Sequence, residues 1–171
     1  VIHNWWKLPW NQKVHQRDCN KFLKYSDKVV TDSLLMYEFL NNEKKIKNLH
    51  LMQPGVSSVW INKSLKKNYD EKFYSVLFFG NLRHNSDVEI FKILSSDERV
   101  KIHIFGMIHE KANHLLKIEN IEFFGQVSPN EITNLLTNYQ FVLLPYSKES
   151  FNETLIPNKY YECCATGMPI L

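Results

Sequence analysis

Short apolar runs recur along the second half of the chain, and most of them end at glycine or proline. The run 73–79 is apolar at nearly every position, which is typical of a strand buried on both faces of a parallel sheet. Similar runs predict further strands at 100–106, 121–125 and 141–145, and a fifth that begins at 168. Segments with helical spacing of apolar residues separate them, at 87–94, around 114–116, at 129–136 and at 157–166. The alternation predicts an α/β domain with a Rossmann-like, doubly wound parallel sheet.

Two of these helices carry end signals. Ser128-Pro129-Asn130-Glu131 has the form of a capping box with proline in the first turn. The last helix has Pro157 at its start and Gly167 followed by Pro169 at its end, which predicts a helix of about ten residues.

The first third of the chain has a weaker pattern. A partly exposed helix is predicted over 11–25, followed by a strand within 27–33, a helix over 34–40 and a strand at 49–52. These elements are too few to complete a sheet of their own, so residues 1–56 are expected to be the tail of a larger domain. The polar, lysine-rich segment 57–72 is the best candidate for a connection to the second domain, 73–171.

Composition narrows the class of protein. The chain has 171 residues, 44% of them hydrophobic, and a net charge of +3 with lysines scattered along it, which is too mild to indicate nucleic-acid binding. A basic face could still rest on anionic lipid. The three cysteines form no disulfide framework or metal-binding spacing, and no apolar run is long enough to span a membrane, so a reducing, cytoplasmic setting is predicted. The chain opens on Val1, so we expect its natural start to be missing.

Polar residues and glycines converge on one predicted edge of the sheet. Parallel α/β sheets bind ligands outside the carboxyl ends of their strands. That edge would hold Gly80-Asn81, Gly106, Gly125-Gln126, Tyr146-Ser147 and the start of the last helix.

Two charged residues on the last helix suggest the ligand. Lys159 lies in the first turn, where free backbone N–H groups already favour an anion, and Glu162 follows on the same helix face. A cation there suits a diphosphate, and a carboxylate one turn later suits the two hydroxyls of a ribose. The alternative is an ordinary exposed ion pair between Lys159 and Glu162.

The motifs in this order resemble the donor half of GT-B glycosyltransferases, closest to the group that assembles bacterial surface polysaccharides. The resemblance covers 73–171 well and 27–56 more loosely. The residues that carry it are Gly80-Asn81, Gly106, Ile121-Glu122-Phe123-Phe124-Gly125-Gln126-Val127, Phe141-Val142-Leu143-Leu144-Pro145, Pro157-Asn158-Lys159-Tyr160-Tyr161-Glu162 and Ala165-Thr166-Gly167-Met168-Pro169-Ile170.

The resemblance implies a role for each matching residue. Gly80 and Asn81 would border the donor diphosphate with Arg83 as a cationic helper, and Lys159 with the backbone near Ile156 and Pro157 would also meet it. Gln126 and Val127 would border the base, and Glu162 would bind the ribose. Relatives often carry a basic residue where this chain has Asn81, and a sugar-facing Glu where it has Thr154, which leaves the donor sugar and the stereochemical outcome open.

The implied activity is metal-independent transfer of a sugar from a nucleotide-sugar, which is a substrate rather than a cofactor, to a glycan, lipid-linked or small-molecule acceptor. Lys159, with Arg83, would stabilise the leaving group; no other catalytic residue is assigned. On this view the chain is a fragment, incomplete at both ends and inactive alone, from a cytoplasmic enzyme that is peripheral to the inner face of the membrane. Two alternatives are a nucleotide-sugar 2-epimerase of the same fold and a non-catalytic nucleotide-binding module.

Overall fold

A computed structural model describes residues 12–61, 70, 72–83, 86–147 and 157–171. The described residues divide into two compact units. The first contains those up to Gly55 together with Pro157, and the second contains those within Val56–Ser147 and Asn158–Leu171.

The first unit contains a parallel strand pair. It consists of α1 (Gln12–Tyr25), β1 (Val29–Thr31), α2 (Leu34–Asn42) and β2 (Leu49–Leu51). The Ser33 hydroxyl accepts a hydrogen bond from the Met36 amide and caps α2. The apolar side chains that this arrangement buries are Val29, Met36, Leu40 and Leu49. The predicted helix and the strand-helix-strand order after it are therefore confirmed.

The second unit is built on a parallel sheet. Its strands are β3 (Tyr74–Leu82), β4 (Val100–Ile108), β5 (Ile121–Gly125) and β6 (Phe141–Val142), in the spatial order β5-β4-β3-β6 within the described residues. All three pairings are parallel. Four consecutive residues of β3, Val76 to Phe79, are buried, as the continuous apolar run predicted.

Helices cover both faces of this sheet. They are α3 (Ser58–Ile61), α4 (Glu89–Ser95), α5 (Pro129–Leu135) and α6 (Asn158–Thr166), with 3₁₀ helices at Glu110–Lys117 and Leu136–Asn138. Phe78 of β3 packs in one core with Phe91 of α4, and Phe79 packs in the other with Trp60 of α3 and Ile132 of α5. The predicted doubly wound α/β architecture is confirmed.

Local geometry departs from prediction in several places. β3 and β4 continue past Gly80 and Gly106, the predicted strand ends, to Leu82 and Ile108. The segment after β4 is a 3₁₀ helix. The strand predicted over 141–145 ends at Val142. At the predicted fifth strand, Ile170 alone forms a parallel bridge, to Val142, flanked by bonds from the Val142 amide to the Pro169 carbonyl and from the Leu171 amide to the Val142 carbonyl, both 2.9 Å.

The predicted connection 57–72 contains an ordered element. Its start forms α3, in which Trp60 is only 4% exposed and belongs to the core of the second unit. Residues 62–69 and 71 of this segment lie outside the described residues.

Candidate functional site

A cavity of about 520 Å³ lies at the carboxyl ends of β3 and β4 in the second unit. The start of α6, the segment after β5 and residues of α3 and α5 complete its wall. The lining residues are Trp60, Phe79, Gly80, Asn81, Phe105, Gly106, Met107, Gln126, Val127, Pro129, Ile132, Asn158, Lys159 and Glu162. This is the edge at which parallel α/β sheets bind ligands.

Six of the predicted site residues line this cavity: Gly80, Asn81, Gln126, Val127, Lys159 and Glu162. Arg83 is exposed just beyond β3 and is not part of the wall, but its charge acts on Lys159. Pro157 falls in the first unit. Thr154 and Ile156 lie outside the described residues.

Two glycines let the backbone and the Lys159 side chain approach each other. Gly80 has a φ of +111°, and a Cβ added to it would occupy the space of Cε and Nζ of Lys159. Gly106, with a φ of +140°, pairs with Gly80 across the sheet, and a Cβ there would overlap the Gly80 carbonyl. Only glycine adopts these conformations readily, and only glycine leaves room for this close packing, so both positions require it.

The Lys159 ammonium is half-buried and has no ion-pair partner in the described part of the chain. Its nitrogen lies 5.9 Å from the ring centroid of Phe79. Burial lowers the pKa of Lys159, the carboxyl group of Glu162 acts in the opposite direction, and the charge of Arg83 lowers it further. The site therefore contains a cation whose charge no carboxylate of the described residues neutralises by direct contact.

Glu162 lies one turn further along α6 and also lines the cavity. Burial raises its pKa, and the Lys159 ammonium partly opposes that rise. The alternative of an exposed ion pair is wrong for these residues, because both side chains are half-buried and no salt bridge joins them. Among the described residues, neither group forms an ion pair.

The wall includes residues that the sequence did not single out for the site. Phe79 directly precedes Gly80 and Met107 directly follows Gly106, so their places next to the strand-end glycines could have suggested them. Trp60 had no such signal, since it belongs to the segment predicted to be a connection. Phe105, Pro129, Ile132 and Asn158 complete this group.

The described residues include no group of three His, Cys, Asp or Glu side chains that could hold a metal ion. No helix among them has the length and apolarity needed to cross a membrane.

Comparison with known proteins identifies the fold. No family model and no curated protein sequence matches the chain. Among solved structures, a variant of Staphylococcus aureus TarM in complex with Fondaparinux, alpha-GlcNAc-glycerol and UDP superposes with a TM-score of 0.72 at 14% identity, over 99% of this chain and 35% of that one. HepE from Anabaena, in complex with UDP and glucose, gives 0.67 at 14% identity, over 99% and 50%.

Sucrose-phosphate synthase from Thermosynechococcus elongatus gives a TM-score of 0.69 at 12% identity, over 96% of this chain and 46% of that one. The chain thus spans about a third to a half of the length of these structures. The TM-scores establish a shared architecture. At identities this low, the substrates of these proteins do not carry over to the chain. The architecture of the chain is that of part of the GT-B fold.

Proposed function

We propose that the chain is part of a glycosyltransferase and that its second unit binds the nucleotide-sugar donor. The observation that carries the proposal is that one cavity at the carboxyl edge of the sheet contains the Lys159 ammonium, which has no ion pair among the described residues, and the Glu162 carboxyl group one helical turn away. A nucleoside diphosphate needs positive charge for its phosphates and hydrogen-bond acceptors for its ribose hydroxyls. Lys159 supplies the positive charge, and Glu162, one turn further along α6, supplies the hydrogen-bond acceptors.

The diphosphate would lie between Lys159 and the strand-end backbone at Gly80 and Asn81. The free N–H groups at the start of α6 add a second source of positive potential, since helix N-termini favour anions. Arg83, exposed beyond β3, would add a cation from the rim. Glu162 would accept hydrogen bonds from the ribose hydroxyls.

The base would extend toward the ends of β4 and β5. Gln126 and Val127 line that part of the cavity and follow β5 directly, so their backbone groups can pair with the polar edge of a base. UDP is the first nucleotide to test, because the TarM and HepE structures both contain it.

The proposed reaction moves one sugar. The bond between the anomeric carbon and the diphosphate oxygen breaks, its electron pair leaves with the diphosphate, and an acceptor hydroxyl forms a new bond to that carbon and loses its proton. Negative charge builds on the departing oxygen, and groups already oriented toward it stabilise the transition state by about 2–4 kcal/mol each. Lys159 and the N-terminus of α6 are those groups, so the proposal requires neither a cofactor nor a metal.

We propose a hydroxyl of a glycan, a lipid-linked sugar or a small molecule as the acceptor, since the TarM structure contains sugar ligands of this kind. We place the reaction in the cytoplasm, because all three cysteines are free thiols. The positive net charge is compatible with contact to the anionic inner face of a membrane.

Calorimetric titration of the chain with UDP, GDP, ADP and CDP tests the proposal. We expect saturable binding of at least one of them with a stoichiometry of one, and competition by the corresponding nucleotide-sugar. Tripolyphosphate is the control, because it carries the charge without a nucleoside. Binding of tripolyphosphate as tightly as the best nucleotide, or no saturable binding of any nucleotide, would overturn the proposal.

A further inference from the structure

We propose that Phe79 and Trp60 are positioning residues that hold the Lys159 ammonium in the cavity while its charge stays available to a diphosphate. The ligand in this statement rests on the proposed function. The positioning itself concerns the unliganded protein and can be tested without any nucleotide.

The three side chains form a continuous contact series. The Lys159 nitrogen lies 5.9 Å from the centroid of the Phe79 ring, within the range of a cation–π interaction. The ring of Trp60 stacks on Phe79 at a centroid distance of 5.6 Å and an interplanar angle of 23°. Both aromatic residues are almost fully buried, at 6% and 4% exposure, so their rings are fixed by the surrounding core.

Gly80 leaves room for the ammonium beside the backbone of β3. Because this residue has no Cβ, Cε and Nζ of Lys159 can lie directly against the end of β3. The ammonium is thus located by the Phe79 ring and by the backbone at Gly80, two neighbouring residues of one strand.

An aromatic ring holds a cation in a way that a carboxylate does not. A carboxylate in direct contact would neutralise the ammonium and compete with an incoming diphosphate. The ring attracts the cation through its quadrupole, and the ammonium keeps its full positive charge. Among the described residues the ammonium has no ion pair, which fits this manner of support.

The chain offers a matched control for the core packing of Phe79. Phe78 is the preceding residue of β3, is 4% exposed, and packs edge-on against Phe91 in the core on the opposite face of the sheet. Phe78→Leu and Phe79→Leu therefore remove the same ring from equally buried positions of one strand. Only the second removes it from Lys159.

The first measurement is the pH profile of Lys159 labelling by an amine-specific reagent in the unliganded chain, read by peptide mass spectrometry. A cation–π contact favours the charged lysine, so loss of the ring must lower the pKa of Lys159 and shift its labelling to lower pH. Glu162, Arg83 and Cys163 also act on this ammonium and are unchanged in both variants. We expect the shift in Phe79→Leu and no shift in Phe78→Leu.

The second measurement is pyrophosphate affinity by calorimetry. Phe79→Leu is expected to weaken binding about 3- to 10-fold, the range of one partly desolvated cation–π contact. Trp60→Leu should cause a smaller loss of pyrophosphate affinity. Trp60→Phe, which keeps an aromatic ring at this position, should retain the wild-type affinity. Site-specific replacement of Phe79 by trifluorophenylalanine keeps the size of the ring, reduces its quadrupole and should reproduce the weakening, so the test holds even where Phe79→Leu does not fold.

The outcomes separate this inference from the proposed function. A labelling profile and a pyrophosphate affinity that are unchanged by trifluorophenylalanine at 79 would overturn the positioning role, whatever nucleotides bind. A shifted labelling profile in a chain that binds no nucleotide would support the positioning role and overturn the donor-site proposal.

Discussion

The Lys159 ammonium lies against the backbone of Gly80, in the space that any side-chain carbon on Gly80 would need. The two residues are 79 positions apart in the sequence, one near the carboxyl end of β3 and one in the first turn of α6. Gly106 supports the arrangement from the neighbouring strand, because its own lack of a side chain lets β4 approach the Gly80 carbonyl. The location of the proposed phosphate-binding cation therefore depends on two glycines.

Gly80 leaves room for the Lys159 side chain, and Gly106 lets the two strands approach closely. Alanine substitutions should separate these two effects. Gly80→Ala introduces a carbon that meets the flexible end of Lys159, so the lysine moves and pyrophosphate binding is lost with a moderate loss of stability. Gly106→Ala meets rigid backbone instead and should lower the free energy of unfolding by more than about 2 kcal/mol. Denaturant unfolding and pyrophosphate titration measure the two effects.

Gly125→Ala is the control for these variants. Gly125 also has a positive φ, +76°, but no described atom lies within 4 Å of an added Cβ. Its replacement should cost only the strain of a left-handed residue, about 1–2 kcal/mol. Equal losses of stability in Gly106→Ala and Gly125→Ala would show that close strand packing is not what requires glycine at 106.

The ribose assignment of Glu162 gives a prediction about ligand selectivity. Glu162→Ala should lower the affinity for a nucleoside diphosphate about 10-fold or more, because hydrogen bonds to a charged group contribute about 1.5–3 kcal/mol. It should leave the matching dideoxynucleoside diphosphate and pyrophosphate nearly unaffected, since neither has the two ribose hydroxyls. Calorimetry on the three ligands measures the difference. Parallel losses for all three would count against the assignment.

We expect Glu162 to make nucleotide binding depend on pH. Burial raises the pKa of Glu162 above its ordinary value, and the charged form is the stronger acceptor for ribose hydroxyls. The affinity ratio of the ribonucleotide to its dideoxy analogue should therefore rise as pH increases through that raised pKa. The ratio cancels ionisation of the phosphates, which both ligands share. In Glu162→Gln the ratio should be flat over the same range, and a persistent rise would assign the titration to another group.

A separate prediction concerns stability. Nδ1 of His103 and the Tyr139 hydroxyl lie 2.8 Å apart, and Phe124 packs on the imidazole. Burial lowers the pKa of His103, with Glu122 acting in the opposite direction, so the folded protein disfavours the protonated imidazole. The unfolded chain then binds more protons, and stability is lost as pH falls below the ordinary value of a histidine.

His103→Gln should make that acid loss shallower in denaturant unfolding between about pH 7 and pH 5, the interval in which histidine titrates. An identical slope in the wild-type chain and in His103→Gln would contradict the link between this histidine and acid stability.

Much of the fold could be predicted because its signals are local. A strand buried on both faces, such as β3, is an uninterrupted apolar run in the sequence. The capping box at Ser128 and Glu131 forms in full, with each side chain bonded to the other residue's backbone amide. Helix type is a weaker signal: the segment around Leu115 has helical spacing of apolar residues, which does not distinguish the 3₁₀ helix that forms there from an α-helix.

The site was harder to predict because its contacts are distant in sequence. Lys159 and Glu162 could be selected from one helical turn, and the glycines from their strand ends. Spacing alone does not tell that Lys159 and Glu162 are both half-buried and form no direct ion pair. The placement of Trp60 against Phe79 joins a polar segment to the core, and nothing in the composition of 57–72 indicated it.

The most direct test of the donor-site proposal is the nucleoside diphosphate affinity of three forms of the chain: wild type, Lys159→Ala and Lys111→Ala. Lys111 is an exposed lysine outside the cavity and controls for net charge. Loss of one charge-assisted contact to phosphate should weaken binding by about 10- to 100-fold in Lys159→Ala alone. Equal affinities in Lys159→Ala and Lys111→Ala would contradict the placement of the donor diphosphate at the start of α6.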